Sequence, residues 1–515
     1  MSQTRFQKVT AMPAPGAHIC FRKRSGSVRA VLMLLLLVAA TVATSPAQTF
    51  KTLYNFCSKR NPAGYCADGS TPLAPLVQGA NGDLYGTTYL DGTNGSGTVF
   101  KVTTARKLTT IYNFCSQPSC TDGSRPQGGL LLASDGNFYG VTTEGGAYGD
   151  YGTVFKITPV GKLTTLHSFN GTDGSNPQSA LIQASNLNFY GTTGLGGTYD
   201  YGTAFEITSS GTLPWVYSFC AAPWCPDGSN PNGLIQAADG NFYGTTWTGG
   251  GNASVCPPGL SLPEGTFFQL APSGTLTTLA VFCPLYQNIG VNPDSALVQA
   301  ANGNFYGTTQ DSYNGNGGID GDGNVYEMTP TGSATWLYTF CQQPGCPDGN
   351  APLTLILGTD GNFYGTTDGG ANRAGGTVFE ITPTGSPLTT LHTFTGTDGL
   401  YPVGALLLDT NGTFYGTTEA GGKYVNGTIF SLASGLGPFV ETIPTSGAAK
   451  TKVTILGTNL KGAAAVSFNG TAATFKVVGS SEIKTTVPAG ATSGTVTVTT
   501  AGGTTLNSNV AFQVP

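Results

Sequence analysis

Gly240-Asn241-Phe242-Tyr243-Gly244-Thr245-Thr246 decides the fold, because the same seven letters stand again at 361–367 and close variants recur along the chain. The Tyr-Gly pair at its centre occurs seven times, 51 to 63 residues apart, at Tyr85, Tyr139, Tyr190, Tyr243, Tyr306, Tyr364 and Tyr415. A recurring period of about 50 residues indicates a repeat architecture, in which each copy is one supersecondary unit.

Each copy has the pattern of four short antiparallel strands. In the second copy an apolar run at 130–133 is followed by the turn pair Asp135-Gly136, and Phe138-Tyr139 opens the return strand. Asp-Gly between apolar runs is a strong hairpin signal. Two further strand patterns follow at 152–157 and 163–169. Four-stranded units of about 40–50 residues are typical of propeller blades.

The two ends of the array complement each other. An isolated strand of the fourth type lies at 50–56, and the seventh copy, at 406–432, lacks its fourth strand. Pairing them would complete the last unit and remove two exposed sheet edges. We therefore predict an all-β chain with a seven-bladed β-propeller at 48–436, closed by its N- and C-terminal strands. An open β-array is the alternative.

The repeated Gly-Asn-Phe-Tyr-Gly-Thr-Thr run resembles the GloVer tandem repeat of exported bacterial proteins, across residues 50–436. That resemblance implies export from a bacterial cell but no particular activity. The unit pattern is also similar to propellers of the NHL type, which implies a binding platform.

A second domain is predicted at 437–515, after the composition changes at 435–438. Alternating apolar residues with turns about every ten positions indicate a β-sandwich. The turns at 457–460, 468–470 and 487–490 resemble, in order, those of the immunoglobulin-like IPT/TIG family. In exported bacterial proteins the resemblance implies a spacer or an adhesion module.

Residues 1–47 have the three parts of a signal peptide: basic residues at 22–29, an apolar run at 31–40, and the small-residue exit Ser45-Pro46-Ala47. An N-terminal membrane anchor is the alternative, although the run is short for a span of about 20 residues. We expect no later membrane span, and a mature protein that is secreted, extracellular or on the bacterial cell surface.

Charge argues against nucleic acid as a partner. The chain has 22 basic and 27 acidic residues, and six of the basic ones precede residue 30. A phosphate-binding surface needs clustered Lys and Arg, which the mature chain lacks.

The mature chain has ten cysteines, of which eight form four pairs in equivalent loops, and two copies lose both members of a pair together. Cys283 has no partner in its own loop, but Cys256 lies in another long loop of the same copy. We predict five disulfides, which an oxidising compartment allows: Cys57–Cys66, Cys115–Cys120, Cys220–Cys225, Cys341–Cys346 and Cys256–Cys283. Zinc is the alternative, but zinc needs four converging ligands, and these pairs are spread around the array without histidines.

Six copies carry Asp-Gly-x-x-Pro after the fourth strand, at Asp68, Asp122, Asp173, Asp227, Asp348 and Asp398. A ring of carboxylates could hold Ca²⁺ or another cation in a structural role. We favour the alternative that each Asp caps its own turn through backbone hydrogen bonds. Asp322 lies in a segment with a faint likeness to a calcium loop, which the repeat alignment explains as a strand start. We therefore predict no metal site and no cofactor.

Catalytic patterns are scarce in the sequence. The mature chain has only His167 and His392, both at a strand position that other copies fill with Tyr. Carboxylates such as Glu144, Asp150 and Glu419 are available, but none forms an evident acid–base pair. An enzyme would need one copy with two convergent carboxylates that its siblings lack.

The sequence thus favours a noncatalytic binding or adhesion protein whose partner is a carbohydrate or a protein at the cell surface. We expect the long loops to share one face, with aromatic side chains offered by Tyr148, Tyr151, Tyr199, Tyr201, Trp224 and Trp247. These side chains could instead merely pack the loops. The alternatives are a polysaccharide lyase or glycosidase on a propeller scaffold, and a purely structural surface component.

Overall fold

The computed structural model describes residues 48–103, 105–251, 265–283, 290–313, 319–370 and 375–515. The predicted signal peptide and Cys256 lie outside these residues. Within them the chain is all β, apart from a single 3-10 turn at Pro118–Cys120.

The repeat region forms seven antiparallel sheets, numbered here in chain order, whose neighbouring strands follow one another along the chain. Sheet one contains β2 (Val77–Gln78), β3 (Leu84–Thr88), β4 (Thr98–Val102) and β5 (Leu108–Asn113). Sheet two contains β6 (Leu131–Leu132), β7 (Phe138–Thr142), β8 (Thr153–Ile157) and β9 (Leu163–Ser168). Sheet three contains β10 (Ile182–Gln183), β11 (Phe189–Thr193), β12 (Thr203–Ile207) and β13 (Trp215–Ser218).

Sheets four to six follow the same order. Sheet four contains β14 (Ser229–Gln236), β15 (Phe242–Thr248), β16 (Thr266–Leu270) and β17 (Leu276–Val281). Sheet five contains β18 (Val291–Pro293) and β19 (Val298–Gln299), which both pair with β20 (Phe305–Tyr313), then β21 (Ile319–Asp320), β22 (Asn324–Met328) and β23 (Ala334–Thr339). Sheet six contains β24 (Asn350–Leu357), β25 (Phe363–Gly369), β26 (Thr377–Ile381) and β27 (Leu388–Thr393).

Sheet seven takes strands from both ends of the repeat region. It contains β28 (Leu407–Leu408), β29 (Thr413–Thr418), β30 (Thr428–Ala433) and, in the fourth place, β1 (Thr49–Asn55). The β1–β30 pairing places Phe50 opposite Leu432 and Asn55 opposite Thr428. The strand at the start of the array therefore fills the place that the last copy leaves empty, as the sequence predicts.

The Phe-Tyr pair, which stands in every copy except the first, where it is Leu84-Tyr85, explains how the sheets stack. Successive strand residues point to opposite faces, so the Phe packs on the preceding sheet and the Tyr on the following one. Tyr139 of sheet two, for example, stacks on Phe189 of sheet three with ring centroids 4.0 Å apart. The same contact joins Tyr85–Phe138, Tyr190–Phe242, Tyr243–Phe305, Tyr306–Phe363 and Tyr364–Phe414 at 4.1–4.4 Å.

The Gly-Thr-Thr part of the run fits the second strand to the third. A Cβ on Gly244 would lie 2.6 Å from the ring of Phe268, so only glycine leaves room for that buried ring. Two positions on, Thr246 hydrogen bonds to the hydroxyl of Thr266 at 2.9 Å and accepts from its backbone N–H at 3.0 Å. The repeated run is therefore a packing pattern, and the variation that could carry function lies outside it.

Sheet seven also packs on sheet one. Phe56 and Ile429 share a buried cluster with Leu84 and Phe100, and Thr417 donates to the Ala74 carbonyl at 3.0 Å. Sheet seven thus has buried contacts with sheet six and with sheet one.

The C-terminal part is a sandwich of two four-stranded sheets. Its core contains Val453, Ile455, Val466, Phe468 and Val498, all at most 2% exposed. The sheets are β31 (Glu441–Ile443), β32 (Lys452–Leu456), β36 (Glu482–Thr486) and β35 (Phe475–Val477), and β34 (Thr471–Ala472), β33 (Ala465–Phe468), β37 (Val496–Thr499) and β38 (Thr505–Asn507).

This sandwich rests on the repeat region. Phe439 joins the core of sheets six and seven, and Leu456 joins the core of sheets one and two. Ser481 donates to the Ala80 carbonyl at 2.7 Å. Residues 48–515 accordingly form one compact unit. The IPT/TIG resemblance implies a spacer. The packing of Phe439 and Leu456 shows that the module also contributes side chains to the core of the repeat region.

Candidate functional site

The six aspartates of the Asp-Gly-x-x-Pro turns each bind the start of the loop that follows the fourth strand. Asp122 accepts hydrogen bonds from the backbone N–H groups of Ser116 (3.0 Å) and Gln117 (3.2 Å) and from the Tyr112 hydroxyl (2.7 Å). Because Asp122 is only 2% exposed, these hydrogen bonds stabilise the turn. Equivalent backbone bonds are made by Asp68, Asp173, Asp227, Asp348 and Asp398.

The two histidines take the place of that tyrosine. Nε2 of His167 lies 2.9 Å from Asp173, and Nε2 of His392 lies 2.9 Å from Asp398. Burial lowers the pKa of His392, while the bond to Asp398 opposes this shift. These six carboxylates thus fix turns, as the capping interpretation predicts. None belongs to a group of three potential metal ligands among the residues that the structure describes.

Four of the predicted disulfides are present: Cys57–Cys66, Cys115–Cys120, Cys220–Cys225 and Cys341–Cys346. Cys283 is also disulfide-bonded, and the partner predicted for it lies outside the described residues. Asp322 lies near Cys341 and Cys346, but these two sulfur atoms bond to each other and are not thiolate ligands.

The predicted aromatic residues are all exposed, from 39% for Trp247 to 70% for Trp224. The other four are Tyr148, Tyr151, Tyr199 and Tyr201. Tyr151 partly packs on its neighbouring loop, because its ring lies 3.1 Å from where a Cβ on Gly171 would stand. Trp247 also lines a cavity.

That cavity, the polar cavity, has a volume of about 350 Å³ and lies at the loop ends of sheets three, four and five. It is lined by Asn176, Gln178, Ser179, Gly194, Leu195, Asn230, Pro231, Asn232, Trp247, Asp294 and Gln310. Most of these residues flank the proline near the start of the first strand, or follow the Thr-Thr pair of the second strand. Neighbouring sheets bring the two sets together.

Asp294 is the carboxylate of the polar cavity. The equivalent residues in the other copies are Leu73, Gln127, Gln178, Asn232, Leu353 and Val403. Asp294 is exposed to solvent and lines the polar cavity. The protein packed around its carboxyl group, followed by the charges of Asp368 and Asp311, nevertheless raises the pKa of Asp294 to about 6. Burial also raises the pKa of Asp311 and of Asp368.

The carboxylates named from the sequence have other surroundings. Glu144 forms an ion pair with Arg125 at 2.6 Å, and Asp150 accepts from the backbone N–H of Gly145 at 3.3 Å. Burial and the charge of Asp368 raise the pKa of Glu419. Sequence reasoning missed Asp294. The signal was there, because aligning the copies shows that the residue after the proline changes from copy to copy while its neighbours stay alike.

Fold and site define an all-β repeat protein with an immunoglobulin-like module. The model of the Gloeobacter/Verrucomicrobia repeat matches residues 41–255, 188–430 and 312–463, and that of the IPT/TIG domain matches 438–514. The chain therefore belongs to the Gloeobacter/Verrucomicrobia repeat family and has an IPT/TIG domain in its C-terminal part. Both resemblances seen in the sequence are confirmed.

Solved structures of similar shape include a streptogramin B lyase, at 14% identity over 75% of this chain and 97% of that chain, with a TM-score of 0.47. A gluconolactonase from Xanthomonas campestris (13% identity, 61% and 87% coverage, TM-score 0.38) and a luciferin-regenerating enzyme (13%, 61% and 93%, 0.38) are further examples. These values are too low to transfer any function. No curated protein matches the sequence.

Among the described residues, no helix is long and apolar enough to cross a membrane.

Proposed function

We propose that the seven sheets close into a seven-bladed β-propeller. The support is that β1 completes sheet seven and that sheet seven packs on sheet one through buried aromatic and aliphatic side chains. A ring closed in this way has no open strand edge at either end of the array.

The mature chain is proposed to work outside the bacterial cytoplasm, either secreted or at the cell surface. Two observations support this location: the signal-peptide pattern at 1–47 and the disulfides, which persist in oxidising compartments.

The proposed function is noncatalytic binding of a carbohydrate in the polar cavity. The observation that supports it most is the lining, in which one indole stands among five carboxamides: Asn176, Gln178, Asn230, Asn232 and Gln310. Within the described part of the chain, no hydrogen bond engages the side chains of Asn176, Gln178 or Asn230.

This combination suits a sugar ring. Carboxamides both donate and accept hydrogen bonds, as sugar hydroxyls do, and the apolar C–H face of a sugar can stack on an exposed indole. The volume falls in the range of pockets that take small ligands.

A glycan array probed with residues 48–515 tests the proposal. Trp247→Ala should weaken binding to the captured glycan at least tenfold, which corresponds to about 1.4 kcal/mol, and Gln178→Ala should weaken it as well. Trp224→Ala is the matched control, because this indole is exposed outside the polar cavity. Equal losses from both Trp variants would instead place the ligand on the loop surface. If the array captures no glycan at all, the proposal is contradicted.

An enzyme that acts on polysaccharide is the second candidate, and Asp294 favours it. A carboxyl group with a pKa near 6 beside other carboxylates suits a general acid. Glycans captured on the array should then be cleaved on incubation, and Asp294→Asn should stop cleavage while binding persists. Release of new reducing ends or of unsaturated products, followed by mass spectrometry, distinguishes an enzyme from a binding protein.

A further inference from the structure

A second cavity lies at the seam, where sheet seven meets sheet one, beside the short turns that join first to second and third to fourth strands. It has a volume of about 340 Å³. We call it the seam cavity, and its lining is Thr49, Lys51, Leu53, Gly82, Leu84, Val102, Thr103, Arg106, Asp409, Asn411, Thr413, Tyr415, Ser431 and Ala433.

A short side chain at Ser431 helps to open this cavity. Six sheets have a long side chain at this third-strand position, namely Lys101, Lys156, Glu206, Gln269, Glu327 and Glu380. In sheet three, Glu206 accepts a hydrogen bond from the Tyr190 hydroxyl at 2.9 Å and so fills the space beside the turn. The equivalent hydroxyl in sheet seven, on Tyr415, accepts a hydrogen bond from Asn411 at 3.4 Å. A serine is too short to occupy the same space.

Arg106 is the second departure from the repeat. The turn after the third strand has glycine at this position in five other sheets, at Gly161, Gly211, Gly274, Gly332 and Gly385, all with positive φ. Arg106 keeps that left-handed conformation, with φ of 62°, which is unfavourable for any residue with a Cβ.

The turn at the seam also accommodates a side chain that its counterpart in sheet two excludes. A Cβ on Gly161 would lie 2.2 Å from the carbonyl oxygen of Ile111 in the preceding sheet, so that turn admits only glycine. At the seam the preceding fourth strand is β1, and it leaves room for a whole arginine side chain. Arg106 itself lines the seam cavity. Burial raises the pKa of the Tyr415 hydroxyl at the same cavity, and the Arg106 charge opposes that shift in part.

Two cations of the seam cavity have no ion-pair partner among the described residues. Within the described residues, no carboxylate lies within ion-pair distance of Lys51 or Arg106. Asp409 is the carboxyl group of the lining, and burial raises its pKa to about 6. It already accepts a hydrogen bond from the backbone N–H of Asn411 at 3.1 Å. The remaining polar groups are hydroxyls and the Asn411 amide.

We propose that the seam cavity binds an anionic sugar, with Arg106 and Lys51 on its carboxylate or sulfate and the hydroxyls of Thr49, Thr413 and Ser431 on its ring. Arginine matches the two oxygens of a carboxylate or sulfate with two parallel hydrogen bonds. Lining hydroxyls that donate and accept match the hydroxyls of the ring. The site is separate from the polar cavity and does not depend on the function proposed there.

Isothermal titration of residues 48–515 tests the proposal, with glucuronate and glucose 6-sulfate as probes. At least one of them should bind, and glucose should not. Inorganic sulfate and acetate separate recognition of the sugar from capture of a simple ion. They should bind at least tenfold more weakly than the sugar that carries the same group. Equal affinity for the simple ion would overturn the proposal.

Arg106→Gly is the decisive variant, because glycine is what the sibling turns use. It should weaken binding of the anionic sugar at least tenfold while Tm stays equal or rises, since glycine suits the positive φ. Lys51→Gln should also weaken binding. Lys162→Gln, an exposed lysine of the sheet-two turn, is the matched control and should leave affinity unchanged. An unchanged affinity in Arg106→Gly, or no binding by the unaltered chain, would refute the proposal.

Trp247→Ala separates the two proposals, because it should leave the titration with the anionic sugar unaltered. If it abolishes that titration, the anionic sugar binds in the polar cavity and the seam proposal is wrong. Arg106→Gly should in turn leave glycan-array binding at the polar cavity unaltered.

Discussion

Replacing Asp122 by alanine should show how much one turn carboxylate contributes to stability. Four hydrogen bonds end on this group: from the Tyr112 hydroxyl, from the Ser116 hydroxyl, and from the backbone N–H groups of Ser116 and Gln117. The two hydroxyls can still bond each other, since they already lie 2.8 Å apart. The two backbone donors lose their acceptor, and an unsatisfied donor costs about 1–3 kcal/mol.

Asp122→Ala should therefore lower the free energy of unfolding by about 2–6 kcal/mol. The entropy of unfolding grows with chain length, so in a domain of this size Tm should fall by only about 2–6 °C. Differential scanning calorimetry at neutral pH measures this shift. Asp150→Ala is the control, because that exposed carboxylate accepts one long bond of 3.3 Å. It should change stability by less than about 0.5 kcal/mol. An Asp122 variant that melts within 1 °C of this control would refute the conclusion that the carboxylate stabilises the fold, because water would then replace the carboxylate at no cost.

Two other predictions concern the C-terminal module. Burial raises the pKa of Glu441 to about 7 and that of Asp409 to about 6. An acid with a raised pKa in the folded state stabilises the fold below its unfolded pKa and loses that contribution as pH rises, so stability should fall between about pH 4 and 7. Glu441→Gln should raise Tm at pH 8 and leave it unchanged at pH 4, and equal shifts at both pH values would contradict this reasoning. Removing residues 438–515 should lower the Tm of the repeat region and increase dye binding, since Phe439 and Leu456 leave its core. An unchanged melting curve would show that the module is only a spacer.

Local patterns could be read from the sequence because each copy repeats its own packing. The Phe-Tyr alternation determines which face of a strand meets which neighbour, as the Tyr139–Phe189 stack shows. The replacement of tyrosine by His167 was also visible, since both side chains can bond the turn aspartate. The strand at 50–56 could be assigned to the last copy because two incomplete units complement each other.

The two cavities could not be predicted in the same way. Gln178, Asn232 and Asp294 come from three different copies and become neighbours only when the sheets stack. Docking of the C-terminal module also escaped prediction, because Phe439 and Leu456 are ordinary apolar residues whose partners belong to a different domain. Periodic patterns encode contacts within a unit, whereas a surface made by several units depends on their relative placement.

The shared sheet at the seam has a consequence for the order of folding. The side chain of Asn55 accepts a hydrogen bond from the backbone N–H of Lys423, 368 residues later in the chain. Contacts of such sequence separation form slowly. β1 must therefore wait, with its edge unpaired, until nearly all of the repeats have been made. In that interval it can pair with the exposed edge of an incomplete copy or of another molecule. The short Cys-x4-Cys loops need no such delay, because both sulfur atoms emerge together.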